Sequence, residues 1–403
     1  MEVQFLYLAI AFCTIILLLA LRRPLYQSIL GGLLVTAVLY RIPPVQWFLL
    51  TLRVFTEWSS CSVLVSLYLI TYLQRALGAR DQIKLAQQDL NGLFHNRRVN
   101  ATGAPLFIGL LPSAAAMILC GDIVKDATDG YLDRKEQAFV TSWLRHVPES
   151  ILPTYSGVLV MTSLADVPIS QFMLGMLPPT VLLVLLGYIP YIRRLPKDPG
   201  TAKSTNRKLD ALHLLQHLWS FLLILTLILA FDLQVVTAMV VTILAVIVVY
   251  RFRPGDLLPM ARSAFDLRLL GNTFLVLVLK EFIGYTGVLT DLPTALSALP
   301  IPMYLIFALL FFVGGIISGS SGIIALGTPL AFAALPNGGM PLMVLLMCMA
   351  HAASQISPTH VCLVVAAEYY GVTMGDLIKK SIPYSLLFVA LSIGYYLLTT
   401  QLF

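Results

Sequence analysis

Apolar runs close to the roughly 20 residues that span a bilayer recur along the whole chain, separated by short polar or basic connections. In the first part of the sequence the pattern predicts spans over Val3–Leu21, Pro24–Tyr40, Ser60–Leu77, Glu149–Ala165 and Ser170–Ile192. In the second part it predicts Ala211–Ala230, Leu233–Tyr250, Leu269–Leu289, Leu342–Tyr370 and Ile382–Phe403. Two stretches break the rule. Pro105–Val124 and Ile301–Leu335 each read as a pair of short apolar runs, the second interrupted at Ser318–Gly322. An amphipathic basic segment follows Leu77 to about Asn100, and Tyr131–His146 is a helix of mixed character. The first run lacks a basic leader and a small-residue cleavage site, so it is expected to be a retained helix that also serves as the export signal.

Basic residues orient this pattern, because Lys and Arg accumulate in cytoplasmic loops. Arg22/Arg23, Arg75 to Arg98, Arg193 to Lys208, Arg251 to Arg268 and Lys379/Lys380 fall on one side. The connections near Asp166, Phe231–Asp232 and Thr290–Pro300 carry neither residue, with Arg41 and Arg53 the exceptions on the outer side. The alternation closes only if Pro105–Val124 enters and leaves on the inner side and Ile301–Leu335 on the outer side. Both are therefore expected to be re-entrant hairpins, which leaves ten spans and both termini outside the cytoplasm.

The order of elements before residue 200 then repeats after residue 201 with opposite orientation. Setting His146 onward against His351 onward, at a constant offset of 205, gives about eleven identities in 46 positions without a gap. They include Pro153/Pro358, Thr154/Thr359 and Pro178/Pro383. Corresponding interrupted segments in two halves point to an inverted-repeat secondary transporter with residues 1–200 and 201–403 as its repeats. The expected fold is thus an all-α polytopic membrane protein.

Composition agrees. Of 403 residues 58% are hydrophobic and 11% charged, and mean hydropathy is +0.87, whereas a soluble domain carries about 25% charged residues. The net charge of +6 is accounted for by the cytoplasmic loops rather than by nucleic acid. The five cysteines stand singly in apolar sequence with neither redox nor metal-ligand spacing. His146 and His351 likewise have no partner at the helical spacing a zinc site needs, so neither a metal nor another cofactor is expected. Walker, Rossmann, HExxH and GxSxG patterns are absent, which argues against coupling to ATP and against enzymatic chemistry.

Three groups of residues carry candidate chemistry. The hairpin tips contain Pro112 and Ser113, and Ser318, Ser320 and Ser321. Non-helical backbone at membrane depth survives only where it lines a cavity, and such a tip offers N–H groups and hydroxyls to an ion or a substrate oxygen. The alternative is a close helix crossing through small residues. Pro153-Thr154 and Pro358-Thr359 form the second group; each proline removes a backbone hydrogen bond inside an apolar span. Ser354, Gln355 and Ser357 stand just ahead of Pro358, so unwinding with Thr154, Thr359 and His360 as ligands competes with an ordinary kink. The third group is ionisable: Asp122, Arg145, His146, Glu149, Lys280, Glu281, His351, His360 and Glu368. Buried charges of this kind are expensive and often functional. Glu149, Glu281, Glu368 and Asp122 are the candidate proton carriers, although Lys280-Glu281 also reads as a self-neutralising structural pair.

Gly109-Leu110-Leu111-Pro112, Arg145-His146 through Pro153-Thr154-Tyr155-Ser156-Gly157, Lys280-Glu281 and Ser357-Pro358-Thr359-His360-Val361-Cys362-Leu363 resemble the prokaryotic domain-of-unknown-function 401 family over nearly the whole chain. That family looks related to the ion transporter superfamily of citrate, gluconate, dicarboxylate and arsenite carriers. The resemblance implies two hairpins and two broken helices meeting at the midplane, an elevator movement, residence in the inner membrane of a prokaryote and assembly as a homodimer. The function expected is secondary transport of a small organic solute, favoured as an organic anion because half-helix N-termini carry positive dipole ends. The coupling ion is expected to be Na+ or H+. The alternatives are a channel of the same architecture, a membrane subunit of a larger complex, and an intramembrane enzyme using Ser320 or His360.

Overall fold

The computed structural model describes every residue except 1, 22, 81, 83–84, 86–95, 111–115, 198–206, 298–299, 359 and 403. Most of the amphipathic basic segment, the middle of the basic linker 193–210 and the tip of the first hairpin therefore lie outside the described residues. Among the described residues all regular elements are helices. Many carry large apolar side chains outward, among them Val38, Leu174, Val181, Leu244, Val248 and Leu398. Such faces suit lipid, and the all-helical fold satisfies backbone polar groups within each segment.

Four described helices are long and apolar enough to cross a bilayer unaided: Trp58–Gly78, Ile169–Tyr188, Met303–Ala334 and Met374–Gln401. A fifth, Leu267–Thr286, passes together with Val288–Thr294, from which it is bent by 75°. Met303–Ala334 is not one rod. Gly319 leaves the helical region with φ 78° and ψ 160°, and beyond it the chain folds back. A Cβ on Gly314 would lie 2.7 Å from Ile323, and one on Gly327 would lie 2.5 Å from Phe311. A straight helix would hold residues 311 and 327 about 24 Å apart. This is the second hairpin. In the first, the guanidinium of Arg97 at the start of Arg97–Ile108 donates to the carbonyls of Asp126 and Ala127 at 3.3 Å, near the end of Ala116–Thr128. Its two outer ends therefore lie side by side.

Some of the remaining expected spans are shorter than the sequence suggested, whereas Glu2–Ala20 and Arg207–Leu229 reach the expected length. Leu25–Leu39 and Val235–Val249 have 15 residues each, about 22 Å of helix against a hydrocarbon core of about 30 Å. Both stop for the same reason: the chain turns at Arg41 (φ 51°) and Arg251 (φ 50°) in the left-handed region. Leu342–Tyr370 is not continuous either. It divides into Gly339–Ser354 and Val361–Tyr370, with non-helical backbone at Pro358. Glu149–Ala165 divides likewise: the helix Arg134–His146 passes into a 3-10 turn, Val147–Ser150, and helix resumes only at Ser156–Ala165. These are the first and second broken helices.

Two elements were missed. Pro44–Thr56 and Pro254–Ala264 are helices where the pattern suggested connections. They are too short to span and each carries arginine, which disguised them. Val45, Phe48, Leu49, Leu52 and Phe55 nevertheless recur at helical spacing and stand exposed together.

The packing crosses between the halves of the chain. Leu25–Leu39 and Pro44–Thr56 lie against Leu267–Thr286, while Val235–Val249 and Pro254–Ala264 lie against Trp58–Gly78. The hairpins cross too. The second hairpin packs on Ser156–Ala165, where a Cβ on Gly157 would sit 3.4 Å from Ile324. The first packs on Val361–Tyr370, where the hydroxyl of Tyr370 donates to the carbonyl of Gly121 at 3.0 Å.

Candidate functional site

The second hairpin tip, Ser318 to Gly322, meets the unwound part of the second broken helix at the wall of a cavity of about 870 Å3. Gly319 makes the turn possible, because its φ and ψ lie where side-chain-bearing residues rarely go. The Ser318 hydroxyl closes the preceding turn on the Gly314 carbonyl at 2.8 Å. The hydroxyl of Ser357, fully buried, donates to the carbonyl of Ile316 at 2.9 Å and ties the unwound segment to the first arm of the hairpin. Opposite the tip stand Arg23 and Arg268, both exposed to the cavity space, and Asn272.

At the first broken helix, Gly109 of the first hairpin comes so close that a Cβ there would stand 2.3 Å from the Arg145 carbonyl. The Tyr155 hydroxyl donates to the Gly109 carbonyl, and Arg145 forms an ion pair with Glu149 one turn on. Thr154 is buried, its hydroxyl without a hydrogen-bond partner. It lines a second cavity of about 500 Å3 with Tyr155, Ser156, Gln74, Arg75 and Asp266. A narrower space of about 90 Å3 lies between the two: it shares Ser156 and Leu269 with the second cavity, and Leu25, Asn272 and Ser321 with the first. These shared residues set the three side by side along a crevice. On one wall are the hairpin tip and both broken helices; on the other are Leu25–Leu39, Trp58–Gly78 and Leu267–Thr286.

Three helices begin on this crevice: Ser156–Ala165, Val361–Tyr370 and the second arm of the second hairpin after Gly319. The first turn of each helix carries backbone N–H groups with no partner inside the helix, and partial positive charge. Arg23, Arg75 and Arg268 add full charges. Asp266 is the only acid among the described lining residues, and its carboxylate already accepts from the N–H groups of Arg268 and Leu269 at 3.0 Å. The lining of the crevice is therefore electropositive on balance.

A family described as "Protein of unknown function (DUF401)" matches residues 6–398. The chain belongs to that family. No curated protein sequence matches it. Among solved structures, one with a similar fold is the YdaH transporter of Alcanivorax borkumensis, whose crystal structure is described as revealing an unusual topology. The two chains are 14% identical, with a TM-score of 0.60 over 87% of this chain and 86% of that one.

In this DUF401 protein Ser318, Ser320, Ser321 and His360 line the large cavity and Thr154 lines the second. Pro112, Ser113 and Thr359 lie outside the described residues, so the expected meeting of the two hairpin tips does too. None of the four candidate proton carriers lines the three cavities; Glu149, paired with Arg145, is close enough to interact electrostatically with Tyr155 and His360, which do. Asp122 accepts a hydrogen bond from Tyr369 on the far side of the first hairpin. Glu368 is exposed near the C-terminal end of Val361–Tyr370. Glu281 is buried and stands 3.6 Å from Arg53, turned toward Pro44–Thr56. The reason is helical geometry: Glu281 follows Asn272 by nine residues, about 180° around the helix, and Asn272 faces the crevice.

Asn272, Arg23, Arg268, Gln74 and Tyr155 are crevice residues that sequence reasoning did not single out. Asn272 left a signal, a lone amide inside an apolar run, and its Oδ1 is buried without a partner. The arginines left none, because at the end of a span they read only as topology markers. Sequence spacing suggested no metal ligands, yet folding brings His146 to His360, with ring centroids 4.7 Å apart.

Proposed function

We propose that this protein is a secondary active transporter that carries a small organic anion through the inner membrane of a prokaryote. Ten spans and two re-entrant hairpins form two inverted repeats, residues 1–200 and 201–403, with both termini outside the cytoplasm. The hairpins and broken helices move together as an elevator against a scaffold of the first spans of each half, in a homodimer. The observation that carries the reading is the crevice itself: one hairpin tip, three helix starts and Arg23, Arg75 and Arg268 around three adjoining cavities. The cross-packing of the halves supports the repeats, and the fold shared with a transporter supports the class.

Ser318, Ser320, Ser321, Thr154, Thr359 and His360, with Pro112 and Ser113 of the first tip, are the solute and ion ligands in this reading. If the coupling ion is H+, Glu149 is the carrier with the best position, because Arg145 and the crevice-lining Tyr155 and His360 are its neighbours. If it is Na+, tip carbonyls and hydroxyls hold it.

The test is a thermal-shift screen of purified protein against carboxylates, amino acids and sugars, in Na+ and in K+, followed by uptake into proteoliposomes. The expected result is stabilisation by a carboxylate, dependence on Na+ or on a proton gradient, saturation, and counterflow. Arg268→Gln should weaken binding and reduce its salt sensitivity, since a screened charge is removed. Non-saturating flux without counterflow would make the protein a channel and overturn the proposal. Stabilisation by neutral sugars alone would overturn the anion.

A further inference from the structure

His146, His360 and Cys362 come from opposite halves of the chain and meet where the two broken helices approach each other. Each offers one donor atom, and these atoms all lie within 4.8 Å of one another. His146 ends the helix Arg134–His146, whereas His360 caps and Cys362 opens Val361–Tyr370.

The state of His146 is set by its surroundings. Its Nδ1 lies 2.6 Å from the carbonyl oxygen of Ser142. A carbonyl can only accept, so Nδ1 carries the proton and Nε2 is left with a lone pair. His146 is 1% exposed, and Nε2 has no hydrogen-bond partner among the described residues. An imidazole with one nitrogen donating to a backbone carbonyl and the other bare is how a metal-binding histidine is normally held. The His360 ring stands at 88° to it. His360 and Cys362 also line the large cavity, which gives an ion a way in.

We propose that His146, His360 and Cys362 form a binding site for a thiophilic d10 cation, Cu+ or Zn2+, at the floor of the crevice. Imidazole with thiolate suits these ions rather than hard ones such as Mg2+ or Ca2+. Metal–nitrogen bonds of about 2.0–2.1 Å and metal–sulfur bonds of about 2.3 Å set the donors about 3.3–3.8 Å apart. Closing the present triad around an ion thus takes movement of about an ångström, within reach of residues at the edge of an unwound segment. Binding releases the thiol proton to solvent as the metal–sulfur bond forms. The neighbouring Arg145 and Glu149 neutralise each other, so thiolate plus Cu+ closes the local charge, whereas Zn2+ leaves one positive charge and an open fourth position. In a membrane interior this count favours Cu+. The bound ion would pin the first broken helix to the second.

Purified full-length protein, stripped with a chelator, is offered Cu+ under anaerobic reducing conditions or Zn2+, desalted, and analysed for metal per chain. Co2+ serves as a spectroscopic stand-in for Zn2+, reporting thiolate ligation by a near-ultraviolet charge-transfer band. One equivalent is expected to be retained, lost in His146→Gln and Cys362→Ser and kept in Cys348→Ala, whose thiol lies elsewhere beside Met176. If the site variants fail to fold, two measurements on the wild type decide the matter: the Co2+ band, and protection of a thiol from alkylation by bound metal. No retained metal and no band, or retention unchanged in both site variants, would overturn the site. Retention of Zn2+ in preference to Cu+ would overturn the charge count. None of these readouts involves transport, so the site and the transport reading fail separately.

Discussion

Replacing Gly319 by alanine tests whether the hairpin tip is the working part of the crevice. The backbone there, at φ 78° and ψ 160°, lies in a region that is essentially glycine-only and costs a side-chain-bearing residue about 1–3 kcal/mol. Among the described residues no atom lies within 4 Å of a Cβ placed on Gly319, so the substitution perturbs the backbone without a clash there. About 1–3 kcal/mol corresponds to depopulating the observed tip about 5- to 150-fold. A solute that needs the tip in this form then shows an apparent dissociation constant raised by up to that factor. The assay is binding of whichever solute the thermal-shift screen identifies, by fluorescence titration and by uptake KM. Gly284→Ala is the control: Gly284 is helical, with equally open space around its Cβ position, and should bind as wild type. Gly319→Ala protein with unchanged affinity and unchanged melting would refute the reasoning, since either the turn tolerates a Cβ or the solute does not touch it.

Ser357→Ala removes the bond to the Ile316 carbonyl. It should lower stability by about 0.5–1.5 kcal/mol, read as a lower melting temperature with faster proteolysis at the second hairpin; unchanged protection would mean the tie is incidental. Glu149→Ala leaves the buried Arg145 without its carboxylate and should cost near the lower end of the about 3–5 kcal/mol range for a broken buried pair. Arg145→Met with Glu149→Gln should recover part of that loss, and a double variant no better than the single would show the pair is not the cause. Reporter fusions should place both termini outside the cytoplasm; a cytoplasmic C-terminus with an inaccessible N-terminus would invert the whole arrangement.

Much of the fold is local and therefore legible. Apolar runs of bilayer length dictate membrane helices, because hydrocarbon leaves no other partner for backbone polar groups. Glycine in Ser318–Gly322 and proline at Pro153 and Pro358 mark the interruptions, since each acts on its own turn of backbone. Local pattern failed at Pro44–Thr56 and Pro254–Ala264, which have 13 and 11 residues and so lack the length that identifies a span. It also failed for Glu281, whose depth in the sequence was plain but whose direction was not: the Arg53 partner comes from a separate helix.

Only the tertiary structure could decide which polar groups share a space. Asn272 meets Ser321 across the crevice, and His146 meets His360 and Cys362, from positions remote in the chain. Periodicity fixes where a side chain points around its own helix axis. It carries no term for which helix stands opposite, because that depends on the crossing of the two halves, where glycines such as Gly121 and Gly175 of the first half leave room for Tyr369 and Met340 of the second. The sequence by itself therefore determined a membrane-embedded chain with interrupted helices, while the crevice, its arginines and its histidine–cysteine cluster belong to the packing of one half against the other.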